Sequence, residues 1–200
     1  GATGGGIFKS TDGGTTWKQL TEGLPAVIQA NLAVAPSDSK VLYATIAGGA
    51  APAGGAAAAG GPPSPGASAG QAGRGGGRGG AGGGGGGSIG LYKSVDGGEH
   101  WFLAVRGPSG TGTRTPDSRP LGRIGGGDLP PVVVDPKNPD VLYSCSTVLW
   151  RSEDGGLTWS AVRGAPGGDD YQGVWINPNN TSIVFAVADQ GAVISGNRGE

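Results

Sequence analysis

Short runs of Val, Ile, Leu and aromatic residues recur along the chain, each closed by Gly, Pro, Asn or Asp, and no window carries a helical period. Between residues 131 and 163 four such runs follow one another, PVVVD, VLYSCS, TVLWRS and TWSAVR, and each is long enough for one short strand. The third and fourth are joined by EDGG. Asp followed by Gly favours a tight reversal, because Gly takes positive φ without a Cβ clash and the carboxylate accepts backbone N–H bonds. The pattern predicts an all-β chain of antiparallel strands.

The hairpin phrase occurs three times in full, as KSTDGGTTW, KSVDGGEHW and RSEDGGLTW, and once more as SGNRGE. A second landmark is a proline followed seven residues later by an aromatic: Pro36 and Tyr43, Pro136 and Tyr143, Pro178 and Phe185. Trp17 to Pro36 and Trp159 to Pro178 are both 19 residues, whereas Trp101 to Pro136 is 35. The underlying period is therefore about 43 residues with two insertions, in the range of four-stranded β-propeller blades. We expect residues 1–22 to be the last half of a blade. A blade follows over 30–106, with a Gly/Ala-rich insertion at 48–87, then a loop insertion at 107–128. A second blade at 129–164 and an incomplete one at 170–200 complete the chain, all within one propeller that continues beyond these residues.

Composition sharpens this. Of the 46 glycines, 20 lie within residues 48–87, a stretch that cannot bury enough apolar surface to offset its ordering entropy and is expected to be disordered. Its GRGGGRGG tract carries only Arg74 and Arg78, too few cations for an RNA-binding arm. The net charge of -1, with no long run of either sign, gives no reason to expect nucleic acid as a partner. No apolar run reaches the length of a membrane helix, so no membrane insertion is expected. The single histidine, His100, and the lone Cys145 leave neither a histidine-based zinc site nor a Ser-His-Asp triad, and no metal or cofactor is expected.

The hairpin phrase resembles the Asp-box, S-x-D-x-G-x-T-W, of sialidase-, xyloglucanase- and sortilin-type propellers. The matching residues are Ser10, Asp12, Gly14, Thr16 and Trp17 in the first copy, Ser94, Asp96, Gly98 and Trp101 in the second, and Ser152, Asp154, Gly156, Thr158 and Trp159 in the third. The second copy has His100 where Thr is usual and the fourth has Asn197 for Asp, departures that put their turn bonding in question. The wider chain, through GLYKSVDGG, VVVDPKNPDVLYS and WINPNN, is similar to bacterial sortilin-like and glycosyl-hydrolase-type (BNR) repeat proteins. That resemblance implies a structural role for the box, an indole packed between blades, and a secreted or periplasmic location. A phosphate loop, by contrast, would need a helix after the glycines, and a tryptophan-bearing strand follows instead.

Alternating strand direction puts the Asp-boxes on one face and both insertions on the other. On that second face an acidic phrase repeats, GGDLPPVVVDP and GGDDYQGVWINP, with Asp128 and Asp170 each eight residues before the landmark proline. Two readings stand open for them. They cap their own Gly-Gly-Asp turns, or they form the carboxylate pair that glycoside hydrolysis requires. Asp169, Tyr171, Gln172 and Arg123 are expected nearby as ligand-binding groups. The sequence thus favours a non-enzymatic module that binds carbohydrate or protein, with a glycoside hydrolase as the alternative, and leaves the oligomeric state open.

Overall fold

The computed structural model describes residues 5–48, 88–106, 120–122, 128–164 and 168–200. Most of the Gly/Ala-rich stretch, most of the 107–128 loop and Arg123 lie outside them. The described residues form thirteen strands: β1 (Ile7–Lys9), β2 (Lys18–Leu20), β3 (Val27–Val34), β4 (Leu42–Gly48), β5 (Ser88–Ser94), β6 (Phe102–Arg106), β7 (Val132–Val134), β8 (Leu142–Cys145), β9 (Leu149–Ser152), β10 (Ser160–Arg163), β11 (Tyr171–Ile176), β12 (Val184–Ala188) and β13 (Gly191–Ser195). They assemble into four sheets in chain order, β1-β2, β3-β4-β5-β6, β7-β8-β9-β10 and β11-β12-β13. Every pairing is antiparallel. The expectation of an all-β chain built on four-stranded antiparallel sheets holds.

The sheets approach one another at their first strands, β7 lying beside both β3 and β11. Three apolar clusters fill the wedges between them. One joins Ile7 and Leu20 of the first sheet to Val27, Ile46 and Trp101 of the second. Another packs Tyr43, Leu91 and Ile89 against Val132, Val134 and Leu142, and a third sets Tyr143, Cys145 and Leu149 against Tyr171, Ile176 and Val184. The second strands of the two four-stranded sheets are inward on both faces, so β4 and β8 read as nearly unbroken apolar or small residues instead of an alternating pattern.

In each of the last three sheets the turn between its first two strands is hydrogen-bonded to the turn that follows its third. Gly97 N–H donates to Lys40 O at 2.9 Å, Gly155 N–H to Asp140 O at 2.8 Å and Arg198 N–H to Ser182 O at 2.9 Å. Those turns occupy one end of the molecule, and polar clasps cross between sheets there. The Tyr43 hydroxyl donates to Pro139 O at 3.0 Å and that of Tyr143 to Arg198 O at 3.1 Å. The cation before each box serine also reaches across: Lys9 to Glu99, Lys93 to Asp140 and Arg151 to Glu200. In the fourth copy Ile194 stands in that position and is exposed.

Candidate functional site

The repeated turn is saturated by its own side chains. The Ser10 hydroxyl donates to Asp12 Oδ1 at 2.8 Å and accepts from Gly14 N–H at 2.8 Å. Asp12 in turn accepts from the Thr16 backbone and hydroxyl at 2.9 and 2.6 Å. Ser152, Asp154, Gly156 and Thr158 repeat this arrangement. The Thr16 hydroxyl and N–H, with Ser10, hold the Asp12 carboxyl down to about 2, and Thr158 does the same for Asp154.

The departures in the second and fourth copies keep much of this bonding. His100 Nδ1 lies 2.6 Å from Asp96 Oδ2, where the threonine hydroxyl sits elsewhere. Bonds from the His100 N–H and ring hold Asp96 well below the usual carboxylate range, so the oxygen is the acceptor and Nδ1 carries the proton. Asn197 retains the serine half of the turn, with Ser195 Oγ donating at 2.7 Å and accepting from Gly199 N–H at 2.7 Å. Asp12 and Asp96 each accept three bonds from within their own turns, and Asp154 four.

The indoles differ in setting. Each N–H donates to the carbonyl of its own turn's second glycine, from Trp17 to Gly14, Trp101 to Gly98 and Trp159 to Gly156, at 3.0, 2.8 and 2.9 Å. Trp101 is 4% exposed between the first and second sheets, and Trp159 packs against the cluster between the second and third. Trp17, expected between blades, is 63% exposed, because no described element stands on the outer side of β1 and β2.

The opposite end carries an open cavity of about 380 Å³ between β3 and the approach to β7. Gln29, Asn31 and Leu32 line it from β3, and Asp128, Leu129 and Pro131 from the facing segment. Asn31 is anchored by donating to Leu129 O at 2.8 Å, which leaves its carbonyl oxygen for other work. Asp128 is exposed at the mouth.

The remaining sequence-chosen residues sit at the start of β11. Asp169 is clasped by Gln190, whose amide donates to its carboxylate while the Asp169 N–H donates back at 3.1 Å. Asp170 adopts φ 52°, a left-handed conformation that Asp tolerates better than most residues, and its carbonyl accepts from the Gln172 amide at 3.2 Å. Tyr171, expected to meet a ligand, is 1% exposed and belongs to the core. Asp170 does not line the Asp128 cavity. Among the described residues no group of three or more His, Cys, Asp or Glu could hold a metal ion.

Gln29, Asn31, Leu32 and Pro131 escaped the sequence reading. Their signal was the pair of amides inside VIQANLAV, a strand otherwise apolar, and the residue aligned with Asp128 and Asp170 there is Ile28.

No protein-family model matches the chain, and no curated protein does. Among solved structures it aligns over 96% of its length with an ancestral GH74 enzyme, at a TM-score of 0.53 and 14% identity, covering 20% of that enzyme. The fold is that of a β-propeller. Two further structures resemble it at a TM-score of 0.49, the GH74 xyloglucanase from Xanthomonas campestris at 19% identity and the Niastella koreensis GH74 enzyme at 17%. The chain covers 92% and 98% of its own length in those alignments and 25% and 29% of theirs. It thus spans under a third of each propeller enzyme it resembles.

Proposed function

We propose that this propeller segment is a binding module which offers the face opposite its acidic turns to a carbohydrate ligand. The observation that supports this reading is the cavity between β3 and β7. It sets two side-chain amides and one carboxylate beside the apolar surfaces of Leu32 and Pro131, groups that suit a sugar's hydroxyls and its C–H face. The repeated turns, read as Asp-boxes, then serve as fold elements at the far end, and a secreted or periplasmic location fits such a ligand.

Calorimetric titration with a panel of oligosaccharides tests it. Binding is expected for at least one glycan, with a loss of roughly tenfold or more for Asp128→Asn, which keeps the shape and removes the charge. If no glycan binds, or if Asp128→Asn binds as tightly as the parent, the reading fails; retention of a protein ligand on this face would point to the protein-binding form of the module.

Glycoside hydrolysis is the second reading, favoured by the structural similarity to an ancestral GH74 enzyme. It needs two carboxyl groups roughly 5–9.5 Å apart across the scissile bond. Asp128 and Asp170 are its candidates. Release of reducing ends from a glucan that disappears in Asp128→Asn and Asp170→Asn would support it, and the absence of release by the parent chain would remove it.

A further inference from the structure

The β3–β7 cavity, read as a carbohydrate site, has a lining that also discriminates among sugars, and the sugar class inferred from it rests on that reading. Both of its walls belong to four-stranded sheets. The segment facing β3, Asp128-Leu129-Pro130-Pro131, is poor in donors, because neither proline has an N–H. Its main-chain acceptors are engaged: Leu129 O takes the Asn31 amide at 2.8 Å and Pro131 O takes the Cys145 N–H at 3.0 Å. The side-chain donors of the cavity are the amides of Gln29 and Asn31, and the second is held by Leu129 O. What meets the opening is therefore a pair of acceptors, the Asp128 carboxylate and the Asn31 carbonyl oxygen.

The charge balance points the same way. No Lys, Arg or His is among the described residues that line the cavity, and no ion pair joins Asp128 to another described residue. A neutral sugar would meet that carboxylate with hydroxyls alone. A ligand that brings an ammonium group adds a charge-assisted hydrogen bond. Because Asp128 is exposed, the gain is modest and falls with salt.

We propose that the cavity selects an amino sugar, a hexosamine unit of an oligosaccharide whose free amine is protonated. The ammonium donates to the Asp128 carboxylate, a neighbouring hydroxyl donates to the Asn31 carbonyl oxygen, and the C–H face of the ring rests on Leu32 and Pro131.

The test is calorimetric titration of the 200-residue chain with β-1,4-linked tetramers of glucosamine, N-acetylglucosamine and glucose, which differ only at C2. It is run at about pH 5.5, where the amine carries its proton and an aspartate is charged. The glucosamine tetramer is expected to bind roughly fivefold or more tightly than the other two. That margin shrinks as salt is raised and vanishes in Asp128→Asn, while Glu153→Gln, at the end that carries the turns, keeps it. Equal binding of the tetramers, or a margin that survives in Asp128→Asn, overturns the amino-sugar proposal and leaves the carbohydrate reading standing. So does a margin lost equally in Glu153→Gln, which is general attraction of a cation to surface carboxylates. A tetralysine peptide that binds as tightly as the glucosamine tetramer overturns it as well, with a basic peptide as the occupant. If none of the tetramers binds while another glycan does, the sugar class is wrong; if no glycan binds, the carbohydrate reading falls with it.

Discussion

At the level of single residues the acidic turn behaves as a closed electrostatic unit. Ser152 is buried, and its hydroxyl satisfies both Gly156 N–H and Asp154, so Ser152→Ala strands a buried donor and is expected to cost about 1–3 kcal/mol in denaturant unfolding. The carboxylates set an acid limit. Asp12 and Asp154 titrate near 2 in the folded chain against 3.8 in an open one, so their contribution is complete above about pH 4 and drains away as the pH falls toward 2. The His100 imidazole works with the opposite sign. Its contact with Asp96 raises its folded pKa above 6.5, so the contribution is full below that value and is lost as the pH climbs through the raised one. Between pH 5 and 9 the melting temperature of the parent is therefore expected to fall relative to that of His100→Thr as the pH rises.

Strand-level behaviour follows from which side of each ribbon is covered. The Tyr43 hydroxyl spans two sheets to reach Pro139 O, so Tyr43→Phe is expected to lower stability by about 0.5–1.5 kcal/mol while leaving the denaturant m-value unchanged. The strands and their hairpins were legible because Val, Ile and aromatic runs alternated with Asp-Gly pairs at a repeating interval. Tyr171 was not. A β-bulge between Tyr171 and Gly173 breaks the alternation at the start of β11, and the tyrosine ring turns into the core. A matching irregularity between Val27 and Gln29 re-aims the start of β3, which hid Gln29 and Asn31 as cavity residues. The turn bonding through His100 was equally hidden, since a Thr-to-His change looks disruptive until the imidazole nitrogen is found 2.6 Å from the carboxylate.

For the molecule as a whole, stability resides in the wedges between sheets. Trp101 fills one, and Trp101→Ala is expected to cost about 3–5 kcal/mol in denaturant unfolding. Cys145 reports on the same wedges from inside: it is fully buried and its thiol is pushed up to about 12 by that burial, so a thiol reagent should label it only as fast as the chain opens. The cations that precede the box serines have a further bearing on how such sheets could be recombined. Lys9, Lys93 and Arg151 each find an acid on the following sheet, and Ile194 brings none. Anyone splicing these units in a new order would find them to be keyed parts: a junction that set Ile194 against Glu99 would leave the bond that Lys9 makes to that glutamate unmade and a bare alkyl group in its place.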